Sequence, residues 1–161
     1  MKIVALIAPA TWPAVVAAVR RHGIDSSIWL VATDEPPAPL VGPPGALLGR
    51  ALPPTPVPPE LAESAANELL NQAAAALGMP AAIQVLRGPA EQAVIQACAD
   101  ADLLVLARDG DNTRLGPASL SHQTRFIVDH APCIIELVWP AGRPSAARVP
   151  PPPAGRRPPV R

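Results

Sequence analysis

The chain has 161 residues, enough for one domain with a real core. Aromatic residues are scarce (no Tyr, one Phe, three Trp), so that core must be aliphatic, and the formally neutral chain has a net-acidic globular part that gives no nucleic-acid footprint. No apolar run reaches membrane-spanning length and the short run after Met1-Lys2 does not suit a secretion signal, so a cytoplasmic protein with no membrane partner is expected.

The neutral total hides an asymmetry. Residues 141–161 hold Arg143, Arg148, Arg156, Arg157 and Arg161 and no acid, a net of +5, which leaves residues 1–140 at −5. Proline is just as uneven: most of the 24 fall between Pro36 and Pro59 or after Trp139, where a residue without a backbone donor cannot belong to a helix interior or a ladder. The expected organisation is one domain over residues 1–140, interrupted by a Pro-rich insertion at 34–58, and a disordered Pro/Arg-rich tail over 141–161. The tail reads as a solvated end, with a docking peptide as the alternative. Cys98 and Cys133 lack C-x-x-C spacing and read as two buried reduced thiols.

Along the chain, Lys2–Ala8 is an apolar run of strand length that Pro9 ends. Thr11 is placed to N-cap a helix with Pro13 in its first turn and Val15, Val16 and Val19 on one face. Arg20, Arg21 and His22 meet the negative end of that helix, and Gly23 stops it, so His22 reads as a terminus and not a ligand. Ser27–Thr33 is a second strand. Beyond the insertion, Pro58-Pro59-Glu60 opens the clearest helix, with Leu61, Ala65, Leu69, Ala73 and Leu77 as its expected buried stripe and Glu63, Asn67, Glu68, Asn71 and Gln72 on its wet side. Gly78 and Pro80 end it. Ala82–Arg87 is a third strand, and Gly88-Pro89 turns into a helix that buries Ala90, Ala93, Val94, Ala97 and Cys98.

The stretch Ala101–Trp139 organises the rest. Leu103–Leu106 is a fourth strand, followed by a polar, glycine-bearing loop, a helix, the punctuation His130-Ala131-Pro132-Cys133, and a closing apolar run to Trp139. Strands alternating with helices imply an α/β fold with a mainly parallel sheet and right-handed crossovers. A reversal of strand order at the first and fourth strands puts a crevice at their carboxyl ends, beside Ala8 and Ala107–Gly110.

Three pieces, Gly88-Pro89, Ala101-Asp102-Leu103-Leu104-Val105-Leu106 and Arg125-Phe126-Ile127-Val128-Asp129-His130-Ala131-Pro132-Cys133, resemble the universal stress protein family. The likeness covers about residues 1–140 in element order and length. It implies an open five-stranded parallel sheet of order 3-2-1-4-5 with helices on both faces, Rossmann-like and similar to the adenine nucleotide alpha hydrolases. ATP-binding members carry G-x-x-G and later G-S/T on the loop and helix after the fourth strand, where glycines let backbone donors approach phosphate. By position the first glycine falls on Ala107, the second on Gly110, and the G-S/T pair on Ser121-His122. The Asp those members place at the end of the first strand is Ala8 here. Ala32, at the end of the second strand, completes the cofactor-binding set that the resemblance implies.

These departures remove a charge-assisted hydrogen bond, worth about 1.5–3 kcal/mol, while Asp109 and Asp111 add charge that repels a polyphosphate and Arg108 and Arg114 only offset it. The expectation is no cofactor, with ATP as the possible one. Ser119 or Ser121 reads as the N-cap of the last helix, His122 as exposed, and His130 as bonded to helix carbonyls. A triad of Ser121, Asp129 and His130 fails on distance, about 13 Å by helical rise. No metal-ligand spacing and no catalytic pair is visible, so enzyme activity has no residue-level support. The closing strand Cys133–Trp139 is an apolar sheet edge with one charge, Glu136, which opposes or registers pairing, and family relatives dimerise through it. A homodimer through these residues is therefore expected, together with an unidentified protein partner. Three readings compete: a regulatory or interaction protein with a decayed nucleotide site, a working adenine-nucleotide sensor, and a small hydrolase or transferase of the wider α/β group.

Overall fold

Apolar residues alternate between two faces along the central strands, and this alternation sets the architecture. The computed structural model describes residues 1–23, 25–34, 58–111, 113, 115–142 and 144–145. Most of the expected insertion and nearly all of the Pro/Arg-rich tail lie outside the described residues. The elements are β1 (Lys2–Leu6), α1 (Trp12–Val19), β2 (Ser27–Thr33), α2 (Pro59–Leu77), β3 (Ala82–Leu86), α3 (Ala90–Ala97), β4 (Leu103–Ala107), α4 (His122–His130) and β5 (Ile134–Val138). Short 3-10 turns at Arg20–His22 and Pro117–Ser119 follow α1 and precede α4.

The five strands form one sheet in the order β3-β2-β1-β4-β5, and every neighbouring pair is parallel. This is the order expected from the sequence. Ile3, Ala5 and Ile7, Ile28, Leu30 and Ala32, and Leu103, Val105 and Ala107 face one core with α1 and α2. Val4, Val31, Leu104 and Leu106 face the other, with α3 and α4. Both faces of β1 and β4 are therefore dry, as continuous apolar runs require of a covered parallel sheet. Each fully buried Val, Leu or Ile in this pattern contributes about 1.5–3 kcal/mol.

The helices follow their punctuation. Pro13 lies in the first turn of α1 and Pro59 opens α2, where a missing N–H costs nothing. Thr11 stands at the N-cap of α1 but caps through its backbone: its carbonyl accepts from Ala14 and Val15, and its side chain makes no cap bond. Gly78 ends α2 with φ of 69°, a left-handed turn that a side chain disfavours.

Two expectations about burial are corrected. The buried stripe of α2 is Ala66, Leu70, Ala73 and Leu77, not the series from Leu61; Ala65 is exposed and Leu61 keeps 61% of its surface. Steps of four residues at 100° each drift 40° per step, so a stripe stays on one face only when steps of four and three alternate. Of the two thiols, Cys98 is buried but Cys133 is only partly so, because it precedes the edge strand. Both are free. Burial and the adjoining Cys133 push the Cys98 thiol up to about 12, and burial raises Cys133 also, so neither is a ready nucleophile.

Candidate functional site

At the carboxyl end of the sheet, β1 leads to α1 on one face and β4 leads to α4 on the other, so the chain parts above Ala8 and Ala107. That is the switch point at which open α/β sheets bind ligands. On the β1 side, the Ala8 carbonyl accepts from Thr11 and Trp12 and starts α1. Ala32 and Ala107 are buried in the core under the crevice and present no polar group from their side chains.

The loop from β4 to α4 folds back on itself. Gly110 donates to the Ser119 carbonyl at 3.0 Å, and Asp111 donates to the Ala118 carbonyl at 2.8 Å. A Cβ on Gly110 would lie 2.5 Å from the Ala118 oxygen and 2.7 Å from the Ser119 carbonyl carbon. Gly110 is thus a glycine for close approach of backbone to backbone. The Ser119 side chain is fully buried; its hydroxyl donates to the Gly116 carbonyl and accepts from the Arg108 guanidinium. That guanidinium also lies 4.6 Å from the centre of the Trp139 ring, a cation–π contact that fixes the start of the loop against the end of β5.

Ser121 is the N-cap of α4, its hydroxyl accepting from the Thr124 N–H at 3.1 Å. It does more. The Ser121 N–H donates to Asp109 Oδ1 at 2.8 Å, and the hydroxyls of Ser121 and Thr124 donate to Asp109 Oδ2 at 2.7 and 2.8 Å. The sequence shows Asp109 only as a repelling charge; its seat on the first turn of α4 was missed. The signal was present in the S-x-x-T spacing of Ser121 and Thr124, with an acid waiting two residues past the strand.

His122 opens α4 and is exposed. His130 Nδ1 lies 2.8 Å from the Phe126 carbonyl and its ring stacks on Phe126, so it finishes the helix as expected. Ser121 is engaged with Asp109, and no triad with His130 is formed. Gly110, Ser121, Asp109 and Arg108 are therefore brought together in one loop. Among the described residues, no group of three or more His, Cys, Asp or Glu could hold a metal ion, and no helix is long and apolar enough to cross a membrane. A groove of about 420 Å³ opens elsewhere, between edge strand β3 and α3, lined by Gln84, Leu86, Arg87 and Gln96 among others.

No protein-family model matches the chain, and no curated protein matches it in sequence. Among solved structures, a universal stress protein in complex with cAMP superposes with a TM-score of 0.55 at 16% identity, over 88% of this chain and 98% of that one. A universal stress protein family protein from Arabidopsis thaliana with AMP bound gives 0.53 at 14% identity, over 94% of this chain and 96% of that one. The chain has the universal stress protein fold. In this chain the loop after β4 has its Gly110 N–H already paired with the Ser119 carbonyl.

Proposed function

We propose that the protein is a universal-stress-protein-like regulatory or interaction protein of the stress response, and that its crevice does not bind ATP strongly. The observation that carries this reading is Gly110: its N–H is spent on Ser119, and its Cα is packed against the backbone of Ala118–Leu120. A phosphate-binding loop must leave such donors free. Here they close the loop. The alanines at 8, 32 and 107 add no polar group from their side chains. The proposal includes a homodimer through the β5 edge, where Ile134 leaves 72% of its surface exposed.

Titration of the purified protein with ATP and magnesium by calorimetry tests the reading. No heat of binding below millimolar ATP is expected; sub-millimolar affinity overturns it. A second reading, an adenine-nucleotide sensor, is favoured by the cAMP and AMP held in the two structures of like fold. It requires that same titration to show tight binding.

A further inference from the structure

Resting on the reading above, we propose that Asp109 is the residue that closes the crevice to phosphate, as an intramolecular anion seated on the donors at the start of α4. Those donors are the N–H and hydroxyl of Ser121 and the hydroxyl of Thr124, all within 2.8 Å of the Asp109 carboxylate. An N–H at a helix start, two hydroxyls and the positive end of the helix dipole are the groups that hold a phosphate oxygen. Asp109 reaches them from the end of β4, across the crevice from β1.

An incoming phosphate faces two obstacles. It competes with a carboxylate tethered to the same chain, whose effective concentration is high. It also meets that carboxylate's charge at contact distance, with the Asp111 charge on the same loop. The cation next in the chain, Arg108, keeps its charge, but its guanidinium is directed to Ser119 and Trp139 and not onto the donors of α4. Asp109 is therefore a specificity determinant: it admits to the crevice ligands that carry no phosphate at this position.

The test uses AMP and inorganic phosphate as probes on the full chain, with Asp109→Ala and Asp109→Asn. The Asn variant removes the charge but keeps an acceptor for the Ser121 N–H, so it guards against loss of fold in the Ala variant. Calorimetry is expected to show AMP binding at least about tenfold tighter in the variants than in the wild type. Equal affinity in folded variants overturns the proposal. In the wild type, backbone amide resonances of Ser121 and Thr124 are expected to stay fixed on addition of millimolar phosphate or AMP; their movement overturns it without any variant. Should the wild type bind AMP tightly while these resonances stay fixed, the functional reading falls and the role of Asp109 stands.

Discussion

Gly110 donates its N–H to the Ser119 carbonyl at 3.0 Å, and with the Asp111 N–H on the Ala118 carbonyl this bond folds the loop after β4 back on itself. The backbone of residues 118–120 lies where a side chain at 110 would go. Gly110→Ala therefore forces main chain to move, and overpacking of this kind costs about 1–3 kcal/mol. A urea denaturation midpoint falling by that equivalent is expected. An unchanged midpoint would show the loop to be more open than its hydrogen bonds indicate.

The α2 stripe gives a paired prediction. Leu70 is fully buried in the core beneath α1 and α2, whereas Leu61 is 61% exposed. Leu70→Ala is expected to cost about 2–5 kcal/mol, and Leu61→Ala to fall within about 0.5 kcal/mol of the parent. Denaturation of the two variants side by side checks it; similar losses would restore the stripe that begins at Leu61.

Much of the fold was legible because its signals are local. The runs at Lys2, Ser27 and Leu103 are apolar on both faces, and only a covered parallel sheet buries both. Pro59 and Gly78 bound α2 within the chain itself. The site was less legible because its contacts are not local. The resemblance assigns Gly110 the place of a phosphate-binding glycine, but its task depends on where residues 118–120 return. Asp109 carries a charge that reads as repulsive until Ser121 and Thr124 are seen to converge on it. Glu136 reads as a bare edge charge, yet it points to residues more than a hundred positions earlier, Arg21 and His22. No spacing rule links the fifth strand to the 3-10 turn that follows the first helix.

That third contact makes stability depend on pH. Glu136 Oε1 lies 2.5 Å from Arg21 Nη2, and Oε2 lies 2.7 Å from His22 Nε2. Burial opposes ionisation of Glu136, but the hydrogen bonds and charges of His22 and Arg21 outweigh it and hold the carboxyl below its ordinary value of 4.5. A carboxyl with a lowered folded-state pKa stabilises the fold above the unfolded value and loses that contribution as pH falls through the folded value. Arg21 is 62% exposed, so screening keeps the effect to about 1 kcal/mol. Glu136→Gln is expected to be less stable than the parent by that amount at neutral pH, with the gap closing below about pH 4.5. Denaturation of both proteins over a pH series measures it; a gap that stays constant into acid refutes the linkage.

The same contact bears on association. Ile134 donates to Asp102 and Val138 accepts from Arg108, so the backbone groups of residues 134, 136 and 138 turn toward β4. Those of Ile135 and Leu137 turn outward by the alternation of a strand, and leave an unpaired edge. A charge on such an edge ordinarily blocks strand addition. Glu136 does not serve that purpose, because Arg21 and His22 hold it on the α1 side. Ile134, at the start of the edge, is the most exposed large apolar residue of the described chain. Sedimentation at micromolar concentration is therefore expected to give a dimer, Ile134→Lys a monomer, and Leu61→Lys, on the exposed side of α2, a dimer still. A monomeric parent rejects the edge as an interface, and a dimeric Ile134→Lys moves the interface away from β5.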